Sequence, residues 1–188
     1  MPIVTTLILP GIGNSGPEHW QTLFERADPT SLRVMQDEWD APVCADWVSR
    51  LDAAVSAADG TIVFAAHSSS CALVAHWTAA ASEAARSKVA GALLVAPSDP
   101  DGPNYPVGPT GFSPVPLLRL PFRTIVVASD NDRYISLARA TQYAAAWGAE
   151  LVTVRGAGHI NAAAGFGAWP AGAALLASLR ATPRTITH

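Results

Sequence analysis

Cysteine is scarce, with Cys44 and Cys71 the only two in 188 residues. Two thiols build no disulfide framework, and these two fall within helical patterns without a paired metal-ligand spacing, so both are expected as reduced, buried groups. Charge is sparse as well. Only 14 % of residues are Asp, Glu, Lys or Arg, and the 12 basic against 15 acidic residues leave a net charge of −3. That balance provides no basic stripe for phosphate contacts, which argues against nucleic acid as a partner. No charged n-region and apolar h-region open the sequence, so no secretory signal is expected and the cytoplasm is the expected compartment. Residues 156–179 carry no formal charge, but Pro170 and several glycines interrupt them. They read as a loop and a buried amphipathic helix, not a membrane span. No internal repeat is visible.

What is present in quantity is apolar sequence, 49 % of the chain. A chain of this length fits one domain with a large core. Residues 61–65 form an uncharged run of β-branched, aromatic and small residues, as in a strand buried on both faces. From Cys71 the positions Val74, Trp77 and Ala80 recur at helical spacing, carrying a helix to about Arg86. Between them stands Ala66-His67-Ser68-Ser69-Ser70, a small-x-Ser-x-small turn. It is a softened nucleophile elbow, which would lift the Ser68 hydroxyl above a sheet and place the Ser69 N–H where an oxyanion develops. The plainer alternative is that these serines only cap a helix.

Strands are also expected at 3–9, 32–35, 89–96, 123–128 and 150–154, with helices at about 17–27, through Cys44 to Val55, at about 136–147 and at about 170–179. On the second of these helices Cys44, Trp47, Val48, Leu51 and Val55 share one face, which is core. Six strands alternating with five main helices argue for a doubly wound parallel sheet. Residues 97–121 hold eight of the fifteen prolines. No long regular element fits there, and Tyr105, Phe112, Val115, Leu117 and Leu118 suggest a cap or wall over a modest hydrophobic pocket, with a loop packed on the surface as the alternative.

Ser68, Asp132 and His159 each lie just past the carboxyl end of an expected strand, the edge where open α/β sheets bind ligands. Their order, Ser then Asp then His, is that of the α/β-hydrolase triad. Asp130 is an alternative acid, Asp132 could instead be a helix N-cap, and His159 could be a satisfied loop histidine. His19, His67 and His76 read as structural or exposed, and His188 as part of a loose tail. Gly11, Gly13 and Gly16 spell Gly-x-Gly-x-x-Gly after the first strand, with Asp37 about where a ribose partner would stand. A dinucleotide loop is therefore an alternative, the other use of such a loop being to offer N–H groups to an oxyanion.

Ile8-Leu9-Pro10-Gly11 with Asn14-Ser15, Glu18-His19-Trp20, the elbow, Ala128-Ser129 with Asn131-Asp132, and Gly158-His159-Ile160-Asn161 with Trp169-Pro170 resemble the small serine hydrolases typified by retinoblastoma-binding protein nine. The resemblance runs nearly end to end. It implies a three-layer αβα, shortened α/β-hydrolase fold without the first two strands of larger enzymes, and a six-stranded parallel sheet of order 2-1-3-4-5-6. It also implies Ser68, Asp132 and His159 as the triad, with the N–H groups of Ser69 and of the Pro10-Gly11-Ile12 loop, Ile12 above all, as oxyanion hole. The sequence departs from the family in Ala66 and Ser70, where Gly is commoner, and in Arg133, where Pro often follows the acid.

The expectation is thus a serine hydrolase, esterase-like, that needs neither metal nor cofactor and cleaves a small ester, thioester or amide. A small-molecule substrate, no membrane partner and a monomer or small homo-oligomer complete it. The competing reading is a protein-binding module of the same fold with an idle triad.

Overall fold

A computed structural model describes residues 3–181; the tail with His188 lies outside the described residues. Its framework is one sheet of six strands: β1 (Val4–Leu9), β2 (Ser31–Arg33), β3 (Thr61–His67), β4 (Val89–Val95), β5 (Arg123–Ser129) and β6 (Glu150–Val154). All pairs are parallel and the order is β2-β1-β3-β4-β5-β6, as expected. Around it lie α1 (Trp20–Ala27), α2 (Cys44–Ala57), α3 (Ser69–Ala80), α4 (Glu83–Ser87), α5 (Leu137–Trp147) and α6 (Pro170–Arg180).

The uncharged strands are buried on both faces because helices cover both. Alternate residues of each strand enter different cores. Leu7, Leu9, Phe64, Ala66, Leu94 and Val126 join Trp47, Trp77, Tyr143 and Trp147 from α2, α3 and α5. Ile8, Val63, Ala65, Leu93 and Val127 join Trp20, Leu176 and Leu179 from α1 and α6. Each fully buried large side chain contributes about 1.5–3 kcal/mol of transfer free energy. Cys44 and Cys71 are free and buried. Burial pushes the Cys44 thiol up to about 12 and Cys71 well above its ordinary value.

Several boundaries differ from expectation. The helix expected from Cys71 to Arg86 is two helices, because Ser82 breaks from helical conformation and its side chain accepts from Ala85 N–H as the cap of α4. Arg86 then donates to the Thr78 and Ala81 carbonyls at the end of α3. The chain therefore has six α-helices among the described residues, not five. α1 begins at Trp20 and not at 17, since His19 caps it. β2 pairs only along Thr6–Ile8 of β1 and so ends at Arg33, leaving Leu32 and Met35 exposed at the sheet edge.

Residues 97–121 contain no helix or strand. They are pinned by backbone bonds between Thr110 and both Pro42 and Cys44. His76 Nε2 donates to Phe112 O, Trp147 Nε1 donates to Pro116 O, and Phe112, Val115 and Leu120 are buried. Leu117 and Leu118 of the same segment are exposed. No helix among the described residues is long and apolar enough to cross a membrane; the uncharged stretch after Gly156 is a loop followed by α6, with Pro170 in its first turn.

Candidate active site

A parallel sheet brings every strand's carboxyl end to one edge, and the candidate residues converge there. Ser68 follows β3 directly, at φ 60° and ψ −125°. L-residues avoid this region, and holding one there costs about 1–3 kcal/mol. The surroundings enforce it: Ser68 N–H donates to Val95 O at 3.0 Å, and Cys71 N–H donates to Ser68 O at 3.0 Å. The capping alternative fails, because no Ser68 side-chain bond reaches the first turn of α3. Ser69 Oγ accepts from the Tyr105 hydroxyl at 3.2 Å. Ser70 Oγ donates to Pro10 O at 2.6 Å, so the serine at the position where Gly is commoner ties the start of α3 to the loop after β1.

That loop presses on the elbow. A Cβ on Gly11 would lie 2.7 Å from Ser68 Cβ and 3.2 Å from Ser68 Oγ, so only glycine fits. The next residue, Ile12, has an N–H without a hydrogen-bond partner among the described residues. Ser69, first in α3, has an N–H with no intrahelical partner, at the positive end of the helix dipole. The loop does not form a dinucleotide cradle. Gly13 N–H donates to Trp39 O, the first turn of α1 is capped by His19, and Asp37 is an exposed partner of Arg50.

His159 Nε2 stands 2.9 Å from Ser68 Oγ, and its Nδ1 stands 2.7 Å from Asp132 Oδ2. The Asp132 side chain is 0 % exposed and that of His159 11 %. Asp132 Oδ1 accepts from Tyr134 N–H at 2.9 Å, which fixes the carboxylate's orientation. Asp130 points elsewhere: its Oδ1 accepts from Gly156 N–H at 2.7 Å. Ser129 Oγ accepts from Ala157 N–H at 3.0 Å and Asn131 Oδ1 from Gly158 N–H at 2.7 Å. Three consecutive side chains at the end of β5 and just past it thus hold the turn that carries His159. The Tyr134 ring lies 4.6 Å from the imidazole, with the Arg133 guanidinium 5.2 Å from the Tyr134 centroid.

Two further histidines back the site. His67 Nε2 donates to His159 O at 2.9 Å, and His19 Nδ1 accepts from Gln21 N–H at 3.2 Å. The His19 and His67 rings are 4.7 Å apart, those of His67 and His159 4.8 Å. Burial, then the neighbouring His159 and His19, holds His67 well below the ordinary histidine range. Burial, then the Arg33 charge, lowers His19 to about 4. Both are therefore neutral in the folded protein and take up a proton only on unfolding. Depressed histidine pKa values make stability present above the unfolded value near 6.5 and lost as pH falls toward 4. Each contributes a slope of up to about 1.4 kcal/mol per pH unit. Urea midpoints measured between pH 7 and 5 are expected to fall steadily, and His19→Gln should flatten the slope.

Around Ser68 and His159 opens a cleft of about 200 Å³, lined further by Ile12, Asn14, His19, Ser98, Pro106, Tyr134 and Asn161. Larger hollows of about 520 Å³ between α1 and α6 and about 630 Å³ near the start of β5 contain none of the candidate residues. Apolar side chains of the proline-rich segment do not dominate the cleft; only Pro106 and Ser98 come from it. Sequence reasoning missed Ser98, whose Oγ lies 2.8 Å from Ser68 Oγ. Its place three residues past β4, on the same sheet edge, was the available signal.

Comparisons with known proteins bear on the fold and the family of the chain. The chain superposes on a protein from Pectobacterium atrosepticum assigned as a YdeN-like hydrolase with a TM-score of 0.81, at 34 % identity over 94 % of this chain and 90 % of that one. The ydeN gene product of B. subtilis gives a TM-score of 0.79 at 18 % identity, covering 96 % and 100 % of the two chains. Est1E from Butyrivibrio proteoclasticus, solved with ferulic acid bound, gives 0.67 at 12 % identity, covering 96 % and 90 %. No curated protein matches the chain. A family model described as serine hydrolase matches residues 6–178, from β1 into α6, and the chain belongs to the serine hydrolase family.

Proposed function

We propose that the protein is a serine hydrolase that forms an acyl-enzyme on Ser68. The observation that carries this reading is the unbroken chain from Asp132 Oδ2 through both imidazole nitrogens of His159 to Ser68 Oγ. Asp132 holds the Nδ1–H tautomer, leaving Nε2 free to take the hydroxyl proton as Oγ attacks the scissile carbonyl. The tetrahedral oxyanion is received by the N–H groups of Ser69 and Ile12. His159 then returns the proton to the leaving oxygen, sulfur or nitrogen as its bond to the acyl carbon breaks. Water, deprotonated by the same imidazole, releases the acid and restores Ser68.

Every proton in this cycle moves through His159, so the reaction requires no metal or cofactor. A small ester, thioester or amide suits the size of the cleft, and Ser98 and Pro106 serve as part of its wall. The motifs at Pro10-Gly11, Glu18-His19-Trp20 and Gly158-His159 support a nearer kinship with the small hydrolases typified by retinoblastoma-binding protein nine.

Treatment with a fluorophosphonate followed by intact-protein mass spectrometry tests the reading. One adduct, mapping to Ser68, is expected. A folded protein that takes up none would make the site idle and favour a binding role.

A further inference from the structure

Three polar side chains in the cleft have no assigned partner for their N–H groups. Asn14, at φ 60°, has its Oδ1 committed to Ser15 N–H at 2.7 Å and to Arg33 Nη1. Arg33 is itself held by Glu25 and Thr22. The amide orientation is therefore fixed and the Nδ2 hydrogens are left over. Asn161 repeats the arrangement: its Oδ1 accepts from Ala164 N–H at 3.1 Å, and its Nδ2 bonds to no described residue. His19 uses Nδ1 to accept from Gln21 N–H, which puts the proton on Nε2; that atom is buried without any partner, in a residue 5 % exposed. A buried donor left unpaired is costly, so a substrate oxygen that accepts from His19 Nε2–H gains a bond the protein itself does not supply.

Resting on the reading of Ser68 as the nucleophile, we propose that Asn14, His19 and Asn161 form a hydrogen-bond-donor wall that selects substrates with an acceptor oxygen close to the scissile bond. Polar sites built this way reject analogues lacking the acceptor, since the protein's own groups are then stranded. Apolar acyl chains of the same shape are the disfavoured class.

Isosteric ester pairs test this on both sides of the bond: p-nitrophenyl methoxyacetate against p-nitrophenyl butyrate, and 2-methoxyethyl acetate against butyl acetate. Each kcat/KM is divided by the ester's own rate constant with hydroxide, which removes the inductive effect of the ether oxygen. Ser68 acylation followed by mass replaces turnover where turnover is slow. The oxygenated member is expected to win by roughly tenfold in at least one pair. Asn14→Asp and Asn161→Asp keep the Oδ1 acceptor for their present donors while removing the N–H groups, and should bring that ratio toward one. Ratios near one for both pairs in the parent protein, or a preference that both variants retain, would overturn the donor wall. Fluorophosphonate labelling of Ser68 without any ester preference sinks the wall alone; absence of both labelling and ester turnover sinks the hydrolase reading with it.

Discussion

Replacing Ser68 by alanine is expected to reduce ester turnover by about 10⁶-fold, to the level left by the oxyanion groups and binding alone, and to remove the fluorophosphonate adduct. The argument is one of chemistry and of fold together. Oγ is the only atom deleted, and it is the atom 2.9 Å from His159 Nε2 and 2.8 Å from Ser98 Oγ. The backbone bonds from Ser68 N–H to Val95 O and from Cys71 N–H to Ser68 O survive. Alanine also stands at φ 60° no more easily than serine, so the melting temperature should change little. Initial rates on a nitrophenyl ester and a thermal scan of the same sample check both halves. A variant that keeps a tenth of the parent activity would show that another group attacks.

Asp132→Asn is expected to cost about 10⁴-fold in kcat. Asparagine can still accept from Tyr134 N–H with its oxygen, as Asp132 Oδ1 does at 2.9 Å. Its amide nitrogen then faces His159 Nδ1 and donates where a proton was required. The imidazole responds by carrying its proton on Nε2, pointing a donor at Ser68 where a base is needed. Asp130→Asn separates the two candidate acids. It preserves the Oδ1 acceptor for Gly156 N–H and removes only a charge that does not touch His159, so a loss below tenfold is expected. Single-turnover rates for both variants decide the assignment; equal losses would mean the two carboxylates act as one.

The strands were legible because burial on both faces leaves a simple record, runs such as Thr61–Ala66 without a charge or turn former. Strand ends locate Ser68, Asp132 and His159 without any knowledge of the third dimension, since a parallel sheet gathers its carboxyl ends by construction. The helix after the elbow was harder. Alanine-rich sequence favours continuation through residue 82, but the Ser82 hydroxyl competes for the Ala85 N–H and stops it. Ser98 stayed hidden for a different reason, while Asn14 and His19 stood in the quoted motifs without a role of their own. Nothing local marks a serine after a proline. Its meaning lies in what it faces, and Ser98 meets Ser68 across 30 positions of sequence. Of the five apolar residues that suggested a cap or pocket wall, Phe112 and Val115 are buried, whereas Leu117 and Leu118 face solvent.

The grip of Ser129, Asp130 and Asn131 on the turn after β6 bears on how the protein fails under stress. β6 is an outermost strand, bonded on one side only and partly open to water along its length. Segments of that kind exchange their amide hydrogens through openings far smaller than global unfolding. The imidazole rides on this strand, whereas Ser68 is rooted in the middle of the sheet. Peeling of one edge separates base from nucleophile while the remaining five strands keep their circular dichroism. The half-life of activity on warming is therefore expected to follow the three side chains at the end of β5 and just past it, and strengthening that local latch is expected to prolong it without raising the melting temperature.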